Sequence, residues 1–216
     1  SHGPDVSLGD SPSLLAVTDH LLRNPGSVLF AMNSSSRPIW KLLGATLSSM
    51  LVVGLILGTF SGGQQIFMVP LRLTVGLGGA ALLCLPSLYI FSALSGAPFD
   101  LRRTAGILAM GLALMSILLL GLSPIAWVFS QASSSTAFVG GTYIMLMLLS
   151  AMFGVGLIRR ALHSEIGESR AVISLWGLLS ILVLCQMTTT LRPLVGPYDG
   201  QLFHPRLFFL AHWFAG

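Results

Sequence analysis

The chain has 216 residues, of which 54% are hydrophobic types and only 8% are Asp, Glu, Lys or Arg. A typical soluble domain carries about 25% charged residues, so this composition excludes a soluble globular domain, and its apolar content excludes a disordered chain. Two cysteines and aperiodic glycine also exclude disulfide-rich and collagen-like proteins. The composition predicts an all-α, polytopic membrane helix bundle.

The first predicted element is a short amphipathic helix that precedes the membrane spans. The range Ser13–Arg23 places its apolar residues on one helical face and its polar residues on the other. We expect residues 1–38 to form a cytoplasmic segment whose helix lies at the membrane interface and packs on the bundle. Docking of a cytosolic partner is the alternative role.

Five transmembrane helices are predicted next, in residues 39–191. A helix that crosses the hydrocarbon core of about 30 Å needs about 20 apolar residues, and charge-free stretches of that length recur along the chain. The predicted spans are Ile39–Phe60, Met68–Leu94, Thr104–Phe129, Ala137–Ile158 and Ala171–Leu191. These stretches lack the two-residue alternation of a membrane β-barrel.

The basic residues predict the orientation of these spans, because cytoplasmic loops are enriched in Lys and Arg. Most of them fall before the first span, between the second and third, and between the fourth and fifth. The N-terminus is therefore predicted to be cytoplasmic and the C-terminus to lie outside. The net charge of +4 is spread over loops, so we expect anionic lipid headgroups, and not nucleic acid, as its partners.

A row of small residues marks the first span. Gly54, Gly58 and Gly62 form two overlapping G-x-x-x-G units. Small residues one turn apart let helix backbones approach closely. We expect this row to pack against a neighbouring helix of the same bundle, with self-association of two chains as the alternative.

Polar residues gather at the predicted outer ends of spans one, two and five. They are Gln64, Gln65, Arg72, Gln186 and Arg192. Because buried polar groups in lipid must find partners, we expect them to form one polar outer cluster that joins these helices. A headgroup- or anion-binding site on Arg72 and Arg192 is the alternative, and both side chains are expected to snorkel to the outer boundary.

The predicted outer-face tail, residues 192–216, is rich in aromatic side chains, including Phe208 and Trp213. Aromatic residues favour the membrane–water interface, so an interfacial C-terminal helix is predicted. The same aromatics also suit an edge that binds a partner subunit.

The sequence offers little for catalysis or metal binding. No two histidines have the three- or four-residue spacing that places both on one helix face, and no predicted span contains one. Cys84 and Cys185 are predicted at different depths, too far apart for a disulfide, as two buried thiols. We expect no enzyme activity, no metal and no cofactor beyond bound lipid, while a pigment or quinone held in a groove stays open.

Several segments resemble an uncharacterised group of bacterial inner-membrane proteins that are distantly similar to the Yip family of membrane-trafficking proteins. The segments are Gly58–Gln65, Pro70–Arg72, Cys84–Tyr89, Gln186–Met187 and Leu191–Pro197. The resemblance covers about Leu14 to Pro197. It implies a five-helix bundle without catalysis in the bacterial inner membrane, and Yip relatives bind small GTPases and other membrane proteins, which implies a helper role.

Together these features favour a non-catalytic integral membrane protein. We expect an accessory or scaffold subunit of a larger membrane complex, or a membrane organiser, whose partners are lipids, other integral membrane subunits or a second copy. The alternative is a passive channel or small-solute carrier, supported by the polar outer cluster and the glycine-rich second span. An enzyme that acts on lipid is the least favoured class.

Overall fold

The computed structural model describes residues 37–61, 65–94, 100–132, 136–163 and 170–190, together with residues 19 and 21–23. Every described residue except Asp100 is helical, and the described part contains no strand. The predicted all-α class is therefore confirmed.

Five long helices make up the described chain. They are α1 (Arg37–Ser61), α2 (Gln65–Leu94), α3 (Leu101–Ala132), α4 (Thr136–His163) and α5 (Arg170–Thr190). The first four predicted spans lie inside their helices, and the fifth differs from α5 by one residue at each end. The helices extend past the apolar stretches because backbone hydrogen bonds continue into polar flanking residues.

Four of these helices are long and apolar enough to cross a membrane. Their apolar stretches are Pro38–Thr59, Ile66–Leu94, Leu101–Phe129 and Phe138–Leu162. Helix α5 has 21 residues, but its described apolar stretch, Ser174–Met187, is shorter. The structure thus supports a membrane protein with four spans of full length, and the five-span count of the sequence analysis remains a prediction.

Helix α3 lies at the centre of the packing. It packs most extensively against α4 and α1, while α2 packs against α1 and α5. In the most apolar windows, 56% of the α3 residues are buried but only 28% of the α2 residues. Much of α2 therefore faces outward.

Glycine residues allow the closest helix contacts. A Cβ atom at Gly54 of α1 would lie 2.8 Å from the backbone nitrogen of Pro70 in α2. A Cβ atom at Gly154 of α4 would lie 2.6 Å from the carbonyl oxygen of Gly111 in α3. These distances leave no room for a side chain, so both helix pairs are held at backbone contact.

Part of the predicted N-terminal helix packs on the bundle. Leu21 is 2% exposed and joins a buried cluster with Leu42 of α1 and Met110 of α3. On the outward side, Arg23 donates to a carboxylate oxygen of Asp19 at 2.8 Å. The other residues of Ser13–Arg23 lie outside the described part, except Leu22, which is exposed.

We expect Gly54→Ala to lower the free energy of unfolding by about 1–3 kcal/mol, because the new Cβ must push Pro70 away. The gain in helix propensity, about 1 kcal/mol, does not offset that overpacking. Unfolding of the purified protein in mild detergent measures the change. The matched control is Gly78→Ala in α2, where a Cβ meets nothing within 4 Å. Equal effects of the two changes would contradict the close α1–α2 contact.

Candidate functional site

All five helices meet around a buried cavity of about 30 Å³. Its lining includes one charged and one phenolic side chain, Arg72 of α2 and Tyr143 of α4, and is otherwise apolar. The remaining lining residues are Met50, Leu73, Gly76, Leu77, Met115, Leu119, Met147, Leu184 and Met187. This cavity is the candidate functional site, because polar side chains inside a membrane bundle mark functional positions.

Arg72 is enclosed by the bundle and is only 4% exposed. It lies seven residues into α2, about 10 Å along the helix axis from Gln65. It shares a face of α2 with Val69 and Gly76, which are also buried. The side chain therefore does not extend along the outer surface as expected from the sequence, because α2 turns this face towards its neighbours.

Tyr143 lines the same cavity from α4. It is seven residues into α4, about 10 Å from Thr136, and 3% exposed. Its hydroxyl group is buried and has no hydrogen-bond partner among the described residues. A buried polar group without a partner costs about 1–3 kcal/mol. A ligand or water that accepts a hydrogen bond from Tyr143 would remove that cost.

Tyr143 is not among the residues that the sequence singles out. A signal was present, since tyrosine is enriched at the membrane interfaces and Tyr143 falls inside a predicted span. That signal is weak, because a tyrosine in a span can also pack as an ordinary aromatic ring. Only the packing of α4 places it at the same cavity as Arg72.

Two more cavities adjoin the first. One, of about 20 Å³, lies beside Tyr143 and is also lined by Ser123 and Trp127. The other, of about 50 Å³, shares Leu77 and Met115 with the central cavity. The three cavities therefore form a series through the bundle, with Arg72 and Tyr143 at its centre.

Beside the cavity of about 50 Å³, a hydrogen bond joins α2 to α5. Trp176 of α5 is 1% exposed, and its indole Nε1 donates to the Ser87 hydroxyl at 3.1 Å. Ser87 in turn donates to the Cys84 carbonyl at 2.9 Å, and Ser180 donates to the Trp176 carbonyl at 2.9 Å. The Ser87 and Ser180 hydroxyls thus donate to carbonyl groups of their own helices, while the Trp176 indole joins α5 to α2.

Both cysteines are buried and outside any disulfide, which confirms the sequence prediction. Cys84 lies in α2 beside the cavity of about 50 Å³, and Cys185 lies near the end of α5. Among the described residues, no group of three or more His, Cys, Asp and Glu side chains is arranged to hold a metal ion.

The structure describes only part of the two residue sets that the sequence singled out. Gly54 and Gly58 are buried on α1, and Gln186 is half-buried on α5, next to residues that line the central cavity. The residues that fall outside the described part, wholly or in their side chains, are Gly62, Gln64, Gln65, Arg192, Phe208 and Trp213. The predicted outer cluster and aromatic tail therefore remain predictions.

We expect Trp176→Phe to lower the free energy of unfolding by about 1 kcal/mol or more, because it removes a buried side-chain hydrogen bond between α2 and α5. Thermal unfolding in mild detergent measures the loss. Trp40→Phe is the matched control, since Trp40 is 72% exposed on α1. A larger loss in the control would show that Trp176 does not anchor this contact.

Comparison with protein-family models, with curated proteins and with solved structures finds no match to this chain. A functional assignment must therefore come from the geometry of the described helices. Two features of that geometry could serve a partner or a ligand: the outward face of α2 and the central cavity that Arg72 and Tyr143 line.

Proposed function

We propose that this chain is a non-catalytic integral membrane protein that acts by association, as an accessory or scaffold subunit of a larger membrane complex. The observation that carries the proposal is an apolar row along the outward face of α2. Its members lie three or four residues apart on one helical face, and they are Phe67, Leu71, Val75, Gly78 and Leu82.

Gly78 gives this row a place where the backbone of a second helix can come close. Glycine in a helix costs about 0.8–1.0 kcal/mol relative to alanine, and lipid offers nothing in return. Elsewhere in the bundle, glycines such as Gly54 and Gly111 lie where another helix comes to backbone contact. Gly78 is exposed, with nothing within 4 Å of an added Cβ. An incoming helix would therefore find at Gly78 the same close approach that α1 finds on α2 at Gly54.

The proposed setting is a bacterial inner membrane crossed five times, with the N-terminus in the cytoplasm and the C-terminus in the periplasm. Helix α5 supports the fifth span, because 21 residues extend about 32 Å. The orientation is supported by Arg102, Arg103, Arg159 and Arg160, which belong to the ends of α3 and α4 that lie on one side of the bundle.

Gly78→Leu should abolish association, because the new side chain fills the contact surface without touching the chain's own core. The wild-type protein, purified from its native membrane in gentle detergent, should have an intact mass well above that of the 22.9 kDa chain. The variant should have the mass of the chain alone, with an unchanged unfolding midpoint.

The matched control is Gly121→Leu, since Gly121 is an exposed glycine of α3 that also meets nothing within 4 Å. This variant should keep the larger mass. A wild-type protein that is a lone chain whatever the lipid composition would overturn the proposal. Sensitivity to lipid composition without a protein partner would instead favour the membrane-organising form of the role.

A passive channel or small-solute carrier is the second candidate, favoured by the series of three cavities through the bundle. Liposomes that contain the purified protein should then release small solutes faster than empty liposomes. Arg72→Ala should abolish that flux, while Arg160→Ala, a change at an exposed arginine, should leave it intact. Flux no faster than that of empty liposomes would eliminate this candidate.

A further inference from the structure

We propose that the central cavity and the neighbouring cavity of about 50 Å³ together form a binding site for an uncharged single-chain lipid that ends in a hydroxyl group, a long-chain alcohol. The hydroxyl group binds at Tyr143, and the chain extends towards Trp176 of α5. The site lies inside the bundle, so it is independent of association through the outward face of α2. It also does not require that any solute crosses the membrane.

The hydroxyl of Tyr143 is the polar end of this site. It belongs to a side chain that is 3% exposed and that lines the central cavity, and it has no hydrogen-bond partner among the described residues. A phenol can donate one hydrogen bond and can also accept one. Because a buried hydroxyl without a partner is costly, a ligand oxygen at this position supplies a hydrogen bond that no described protein group provides.

Apolar walls lead away from Tyr143 into the larger cavity. The two cavities share Leu77 and Met115, and methionine is a flexible side chain that adapts to irregular contents. The hydroxyl and indole groups in the wall of the larger cavity, on Ser180 and Trp176, already donate hydrogen bonds within the protein. Water therefore finds few partners there, and such a cavity favours an apolar occupant.

The dimensions of the two cavities suit one extended chain. Along α3 their walls run from Leu119 at the central cavity to Leu108 at the larger one, which is about 16 Å of helix. Their volumes of about 30 and 50 Å³ are only a few times the roughly 10–15 Å³ that one water molecule needs. A space so long and so small is narrow, so it accommodates a single alkyl chain and no bulky ring beside it.

An uncharged end group fits the position of Tyr143. A phenol offers one neutral hydrogen bond, and a charge inside a membrane bundle costs more than one such bond returns. Arg72 lines the same cavity, but an uncharged hydroxyl group needs no contact with it.

The chain can enter from the surrounding membrane beside α5. Ala81, Val155 and Ile181 line the larger cavity, and each of them is only half-buried. Helix α5 packs more extensively on α2 than on α4, so the side between α4 and α5 is the less tightly closed one. Ala81 and Val155 belong to the apolar stretches of helices that can cross a membrane, so lipids surround this opening.

The experiment uses Trp176 as a fluorescent reporter, because it is 1% exposed and lines the larger cavity. The changes Trp40→Phe, Trp127→Phe and Trp213→Phe leave it as the single tryptophan of the full chain. In liposomes, a terminally brominated dodecanol should quench this tryptophan saturably, since bromine quenches fluorescence only at contact. A control protein that keeps Trp40 alone, which is 72% exposed, should be quenched in proportion to the alcohol without saturation.

In the reporter protein, Tyr143→Phe should weaken the apparent affinity for the brominated alcohol by about three- to tenfold, because it removes the hydrogen bond to the ligand. Bromododecane, which lacks the hydroxyl group, should bind with equal weakness to both proteins. Tyr89→Phe, at an exposed position of α2, should leave the affinity for the alcohol unchanged.

Thermal unfolding without the alcohol separates ligand binding from a structural role of the phenol. Tyr143→Phe should have an unchanged or higher unfolding midpoint, because it removes a buried hydroxyl that has no described protein partner. A lower midpoint would show that the hydroxyl holds the bundle together and would count against the site.

Three further results would overturn the proposal: no saturable quenching of Trp176 by the alcohol, equal affinity for the alcohol after Tyr143→Phe, or equal affinity for bromododecane and the alcohol. Saturable quenching by a phospholipid with brominated chains, which the alcohol does not displace, would also overturn it, because the occupant would then be an ordinary membrane lipid. None of these readouts depends on a partner subunit or on flux. Failure of this site is therefore distinguishable from failure of either proposed function.

Discussion

The close approach of helix backbones at glycine is the interaction on which the rest of this bundle depends. Lipid tails are as apolar as leucine, so hydrophobic burial alone does not drive one transmembrane helix against another. Van der Waals contact must supply the cohesion, and it requires helices close together. Gly54 against Pro70 joins α1 to α2, and Gly111 against Gly154 joins α3 to α4.

That close packing makes the central cavity chemically distinctive. The bundle is tight at its glycine contacts, yet it encloses Arg72 and Tyr143 in a small space where all five helices meet. In such a low-dielectric interior electrostatic interactions are stronger than at a surface, and a buried polar group without a hydrogen bond costs more.

The helices differ in how much of their surface the bundle covers. Helix α3 is largely enclosed by α1 and α4, whereas α2 turns most of its apolar side chains outward while it still holds α5 through Trp176. A helix that is packed on one side and open on the other is suited to a second interface. At the exposed Gly78, which has no side chain, the backbone of another helix can approach closely.

The sequence by itself determined the class of protein, the helical segments and the thiol character of Cys84 and Cys185, because span length and apolarity follow directly from the thickness of the hydrocarbon core. It could not determine which way each helix faces. In α2 apolar residues surround the whole helix, so no amphipathic pattern separates the buried Gly76 from the exposed Gly78. Only tertiary packing decided that Arg72 and Tyr143 line the same cavity, because that depends on contacts between helices distant in sequence.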